Sequence, residues 1–178
     1  MEVVELSLPG LKLIKPRVFR DERGFFLETF RSERYRAAGI SCDFVQDNHS
    51  RSVRGTLRGL HYQSSPGQAK LLRVVSGRIF DVAVDIRPES PTFGKWEGVY
   101  LDAEEHHQMF VPLGFAHGFC VVSESADVLY KVSSPYDGAT ECTLQWNDPI
   151  VGVRWPVDEP VLSPRDQSGE PFSELARR

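Results

Sequence analysis

Three polar clusters interrupt sequence that otherwise reads as apolar strand, and each brings a group able to hold or move a proton. In LRGLHYQ, residues 57–63, His61 stands among apolar and aromatic neighbours, with Gln68 and Lys70 following. An imidazole titrates near neutrality, so this position suits a general base; a core histidine satisfied by backbone groups fits the same pattern. In FVPLGFAHGF, residues 110–119, Pro112 and Gly114 predict a turn that presents His117 at the start of a strand. In VLYK, residues 128–131, strand alternation sets Val128, Tyr130 and Val132 on one face and Lys131 on the other, so Tyr130 and Lys131 do not share a site. A tyrosine hydroxyl aimed into a polar cavity can donate a proton to carbon, while one at the rim of a core only packs. Glu141 and the run LSPRD, residues 162–166, complete the third cluster.

The elements that must position these groups are strands. Short runs rich in Val, Ile, Phe and Tyr alternate with polar residues and are separated by Gly, Pro, Asp and Ser. KLLRVVSGRIFDVAVDIR predicts a strand, a turn at Ser76 and Gly77, and a second strand with Phe80, Val82, Val84 and Ile86 on one face and Asp81, Ala83 and Asp85 on the other. Further strands are expected at 25–30, 43–50, 56–63, 96–102, 107–112, 117–122, 127–133 and 140–146. So many strands in a chain of this size call for two packed sheets or a closed barrel. Helix is expected only over Ser32–Ala38, with Ser32 as N-cap and Gly39 as the stop, and near Ser173–Arg177. The Pro-rich stretch from Pro149 to Pro171 keeps Val153, Trp155, Val161, Leu162 and Phe172 to pack, so residues 149–178 are expected to wrap over the barrel as a tail.

Composition narrows the function classes. With 178 residues, 40% hydrophobic and 26% charged, the chain is expected to form a single domain over residues 1–178. A net charge of -4 with basic and acidic residues interspersed gives no footprint for a nucleic-acid polymer or an anionic membrane. Its apolar runs fall short of the roughly 18 residues of a membrane span. The N-terminus lacks the order of a secretory signal. Cys42, Cys120 and Cys142 are odd in number and show no CxxC spacing, which argues against disulfides and thiolate zinc. A soluble protein of the reducing cytoplasm is expected.

The Pro112, Gly114, His117 spacing resembles the second motif of cupins, the double-stranded β-helix superfamily. Metal-holding cupins draw their other ligands from an HxH motif, but the corresponding region reads His61, Tyr62, Gln63. A site of three histidines and a carboxylate cannot be assembled from these residues, so no metal or other cofactor is expected.

Taken together, the clusters resemble the dTDP-4-dehydrorhamnose 3,5-epimerases of deoxysugar biosynthesis. The matching stretches are DERGFFLETF at 21–30, FVQDNHSRS at 44–52, LRGLHYQ at 57–63 and KLLRVVSGRIFDVAVDIRPESPTFGKW at 70–96, followed in order by FVPLGFAHGF, LYK, WNDP at 146–149 and LSPRD. An ordered series covering nearly the whole chain is far more specific than any single motif.

The resemblance implies an all-β fold, a double-stranded β-helix (cupin, jelly-roll barrel) with a few short helices. It also implies a homodimer acting on dTDP-4-dehydro-6-deoxyglucose at C3 and C5. By position in the matching motifs, His61 is the proton acceptor, Asp166 orients its imidazole, Tyr130 is the proton donor and Lys70 lies near the C4 oxygen. Arg23, Glu28, Gln46, Asp47, Asn48, Arg58, His117, Glu141 and Arg165 fall where the family contacts nucleotide, phosphate or sugar, with Arg23 and Glu28 reaching in from the partner subunit. The N-terminal strands to about residue 50, unpaired in this reading, are expected at the dimer interface, since they would otherwise leave an open edge. An ammonium near the ketone oxygen stabilises charge developing there, and a base and an acid on opposite faces of the sugar would invert a carbon beside the ketone.

Placing Arg58 and His61 in one pocket conflicts with strict alternation along Leu57–Gln63, and a bulge at Gly59 would reconcile them. Two departures from the family pattern stand out. Pro135 precedes Tyr136 where a tyrosine is common, and Arg165 precedes Asp166 where lysine is usual. Alternative readings are an epimerase acting at C3 only, a non-catalytic sugar-nucleotide-binding cupin, and a metal-dependent cupin, the last disfavoured by the missing HxH.

Overall fold

The computed structural model describes residues 1–177. Its strands are β1 (Glu2–Glu5), β2 (Lys12–Lys15), β3 (Val18–Asp21), β4 (Gly24–Leu27), β5 (Gln46–Val53), β6 (Leu57–Gln63), β7 (Lys70–Ser76), β8 (Arg78–Asp85), β9 (Trp96–Asp102), β10 (Gln108–Val111), β11 (Phe115–Val121), β12 (Ser125–Val132) and β13 (Glu141–Thr143). Three short helices accompany them: α1 (Ser32–Ala37), α2 (Pro164–Gln167) and α3 (Phe172–Leu175).

Two antiparallel sheets form the jelly-roll: six strands in the order β1-β2-β10-β7-β12-β5, and five in the order β13-β6-β11-β8-β9. Between them lies a core including Leu72, Val74, Ile79, Ala83, Met109, Phe119 and Val128. Each such side chain, fully buried, contributes on the order of 2 kcal/mol. Alternation along β8 gives its other face to a second cluster, where Phe80, Val82 and Val84 meet Val151 and Phe172, with Val153 and Trp155 packed alongside. Residues from the C-terminal stretch thus cover the outside of the five-stranded sheet. Val161, expected to pack there, is exposed, because its backbone bridges to Thr56 at the margin of the fold.

The strands flanking Ser76 and Gly77 do not pair with each other. β7 lies between β10 and β12, whereas β8 lies between β11 and β9, so the turn carries the chain from one sheet to the other. Gly77, at φ +77, permits that crossing, and a Cβ there would sit 2.0 Å from the Ser125 carbonyl oxygen. Sequence periodicity shows two strands and a turn but not which sheet each strand joins.

The N-terminal strands are paired, contrary to expectation. β1 pairs with β2, β2 with β10, and β3 with β4 in a hairpin of its own. That hairpin exposes Phe19, Phe25 and Phe26, the last at 71%. The N-cap of helix α1 lies one residue earlier than expected: Arg31 holds that position without a side-chain cap, and Ser32 is already helical.

Candidate active site

A cavity of about 440 Å³ opens between the two sheets. The five-stranded sheet and its flanks supply Arg58, His61, His117, Glu141 and Arg165 to the lining, and the six-stranded sheet supplies Gln46, Asn48, Lys70 and Tyr130. Alternation explains the second set. Gln46, Asn48 and Ser50 of β5 point inward with Val128 and Tyr130 of β12, while Asp47 and Lys131 share the opposite face.

On β6 the alternation breaks. His61 pairs with His117 and Arg58 with Phe119, so three steps along β6 match two along β11. This one-residue irregularity brings Arg58 and His61 to the same cavity. Two glycines allow it. Gly59 sits at φ +128, and a Cβ there would lie 2.5 Å from the Gly118 Cα. The Gly59–Leu60 peptide is cis.

His61 is anchored from below. Its Nε2 lies 2.6 Å from Asp166 Oδ1, and Asp166 is buried, also accepting from the Gly59 N–H at 3.2 Å and the Ser163 hydroxyl at 2.6 Å. Burial alone would raise the Asp166 carboxyl, but the hydrogen bonds from His61 and Ser163 outweigh it and hold it at about 2. An ionised Asp166 accepts a hydrogen bond from Nε2–H and leaves Nδ1 as the acceptor nitrogen. Desolvation pushes the His61 pKa below its ordinary value, against the pull of Asp166 and with help from Arg165.

Asp166 owes its place to α2. Ser163 caps the helix by accepting from the Asp166 N–H, with Pro164 in the first turn. The same turn sets the Arg165 guanidinium against the ring, with Nη2 3.3 Å from His61 Nδ1 and 3.1 Å from Nε2, while Nη1 pairs with Glu141. This helix was not expected from sequence. Its signal was the Ser-Pro-x-Asp spacing, a cap followed by a reciprocal carboxylate.

Tyr130 faces this dyad from the other sheet. Burial raises its pKa above 10, so the phenol keeps its proton at neutral pH. Lys70, at the start of β7, reaches across so that Nζ lies 3.4 Å from the His61 carbonyl oxygen. Removal from water pushes its ammonium down to about 8, although Glu141 and Asp81 favour the charge.

Asp166 stands behind His61 rather than in the lining, and three further expected site residues are not in this cavity. Asp47 points to the opposite face of β5, as alternation beside Gln46 and Asn48 dictates, pairs with Lys131 at 2.8 Å and lines a second cavity with Asn48 and Tyr130. Arg23 sits at the tip of the β3–β4 hairpin, clasped by Asp21 at 2.6 Å. Glu28 pairs with Arg34 at 2.8 Å. Neither lines the cavity of its own chain. Conversely, Ser50, Phe119, Gln68 and Tyr136 line it without having been assigned a site role from sequence. Among the described residues, no group of three or more His, Cys, Asp or Glu is arranged to hold a metal ion, and no helix is long and apolar enough to cross a membrane.

A cavity with a carboxylate-backed imidazole on one wall, a phenol on the other and an ammonium in the same lining can remove and return a proton at carbon. Comparison with known proteins points the same way. The sequence model of a family described as dTDP-4-dehydrorhamnose 3,5-epimerase matches residues 5–174. The chain is 49% identical to the dTDP-4-dehydrorhamnose 3,5-epimerase of Shigella flexneri over 174 residues, 97% of this chain and 96% of that protein. It is 50% identical to the Neisseria gonorrhoeae enzyme of the same name over 178 residues, 99% of this chain, but spans only about half (54%) of that relative's length. In three dimensions it is similar to dTDP-6-deoxy-D-glucose-3,5-epimerase from Legionella pneumophila, solved in complex with dTDP-4-keto-L-rhamnose. The TM-score is 0.94 at 47% identity, over 98% of this chain and 96% of that one.

Proposed function

The chain belongs to the dTDP-4-dehydrorhamnose 3,5-epimerase family, and we propose that it converts dTDP-4-dehydro-6-deoxy-D-glucose to dTDP-4-dehydro-L-rhamnose by inverting C3 and C5. The observation that carries this reading is the placement of His61 with Asp166 on one wall of the cavity and Tyr130 on the facing wall.

Each inversion proceeds in two proton transfers. His61 Nδ1 takes the proton from a carbon beside the C4 ketone, and the C–H electron pair moves into the ring as the ketone becomes an enolate. The Lys70 ammonium stabilises the charge that develops on the C4 oxygen. Tyr130 delivers a proton to the opposite face of that carbon, the enolate collapses to the ketone and the centre is inverted. The phenolate then regains a proton from solvent and the His61 imidazolium releases its own to solvent, which resets both groups for the second carbon. Asp166 does not titrate in this scheme; it holds the Nε2 proton and favours the imidazolium formed in the first step. No cofactor takes part.

Arg58 and Arg165 carry the positive charge that a diphosphate requires. Gln46, Asn48, His117 and Glu141 supply polar contacts to the sugar and nucleotide. The acting unit is a homodimer in the cytoplasm, with residues 1–178 as one domain. In it the exposed Phe25 and Phe26 of the hairpin are buried and Arg23 and Glu28 reach the partner's cavity. This supplies from outside the two residues that one chain cannot bring to its own site.

The test is incubation of the full chain with dTDP-4-dehydro-6-deoxyglucose in deuterated water without added metal, with deuterium followed by NMR. Label at C3 and C5, absent in His61→Ala, is expected. Label at C3 alone would replace the reading with a C3 epimerase, and label at neither would end it for this substrate.

A further inference from the structure

Asp81 is fully buried in β8, in a run, Ile79–Val84, that is otherwise apolar. Burying a carboxylate is costly unless donors and an opposite charge compensate it. Among the described residues its hydrogen bonds come from one group, the His117 imidazole, whose Nε2 lies 2.9 Å from Oδ1 and 3.0 Å from Oδ2. The neighbouring carboxylates are provided for differently: Glu141 pairs with Arg165, and Asp166 is held by His61, Ser163 and the Gly59 N–H.

From this arrangement we infer that Asp81 is a positioning residue for the proposed reaction: it fixes His117 as the Nε2–H tautomer, with Nδ1 an acceptor for a substrate hydroxyl. The site therefore contains two imidazole–carboxylate pairs on adjacent strands with different tasks. Asp166 serves the base, and Asp81 serves the part of the site that reads the sugar.

The inference rests on the proposed reaction for its catalytic meaning but is tested without it. In the full-length protein labelled with ¹⁵N, the ring nitrogens of His117 are expected to show Nε2 protonated and Nδ1 bare near neutral pH. In Asp81→Asn that preference is expected to be lost or reversed, because an amide can present N–H to the ring nitrogen. The same variant should lose about 10- to 100-fold in kcat/KM, chiefly through KM, since His61, Asp166, Lys70 and Tyr130 are untouched. A His117 proton on Nδ1 in the unaltered chain, an unchanged tautomer in the variant, or an unchanged kcat/KM would overturn the assignment. Should Asp81→Asn fail to fold, the tautomer in the unaltered chain decides it. Absence of deuterium exchange in the unaltered chain would instead sink the proposed reaction, leaving both NMR measurements readable.

Discussion

His61 and His117 stand directly opposite one another in the β6–β11 ladder, yet each is held by a different buried carboxylate, Asp166 for the first and Asp81 for the second. Two similar dyads a strand apart do not share the same opportunity. His61 has Arg165 against its ring, Lys70 over its carbonyl oxygen and Tyr130 on the facing sheet. The proton therefore has a base, a destination and a stabilised intermediate around His61.

His61→Asn should abolish deuterium exchange at both carbons, with kcat reduced at least about 100-fold, the contribution of a positioned base. Asp166→Asn should also slow exchange, because an amide can present N–H to Nε2 and reverse the tautomer. Substrate affinity by calorimetry should change little in His61→Asn, since Arg58 and Arg165 remain. Exchange at the original rate would remove His61 from the base role.

The pH profile of kcat/KM should be bell-shaped. His61 acts as the neutral base, and its pKa lies below 6.5, so activity falls only as acid protonates it below that value. Lys70 acts as the charged form, with a pKa of about 8, so activity falls as alkali removes its proton near there, before Tyr130 ionises. Lys70→Arg should shift the alkaline limb upward, since a guanidinium stays charged. Lys70→Met should lower kcat by about 100-fold or more at every pH. An alkaline limb left in place by Lys70→Arg would assign it to another group.

Much of this site was legible in the sequence because its residues sit at marked places in strands. His61, Lys70 and Tyr130 are polar groups at positions where alternation or the family motifs demand an inward side chain, and all line one cavity. The motif names Gln46, Asp47 and Asn48 together without saying which face each takes, and alternation turns Asp47 toward Lys131 on the other side of β5. The Ser76–Gly77 crossing was read as a local turn because strand pairing is set by packing far away in sequence. Asp81 was noted only as a face of β8. Its signal, a lone carboxylate inside an apolar strand, gains meaning once His117 is found beside it.

Gly59→Ala should cost about 3 kcal/mol, because it adds a Cβ at a positive φ and against the Gly118 backbone together. For a chain of this size that corresponds to a Tm lower by about 10 °C, readable by calorimetry. Activity should fall further than stability explains, since the irregularity that seats Arg58 beside His61 is what the glycine permits. A variant with normal Tm and kcat/KM would show that the strand tolerates a side chain there.

The dimer can be tested by complementation between defective subunits. Arg23 and Glu28 do not reach the cavity of their own chain, and the hairpin that carries Arg23 exposes Phe25 and Phe26. Phe26→Asp should therefore yield monomers by light scattering and weaken substrate binding, as burying a carboxylate at the interface is unfavourable. Arg23→Ala and His61→Asn should each be poorly active alone. In a hybrid of the two, the cavity with an intact His61 receives Arg23 from its neighbour, so co-expression and reassortment should restore activity. Random pairing of equal amounts leaves about a quarter of the sites complete. Recovery near that level requires a site shared between subunits. If hybrids form by mass spectrometry and no activity returns, each chain works alone, and Arg23 belongs to the hairpin rather than to the partner's cavity.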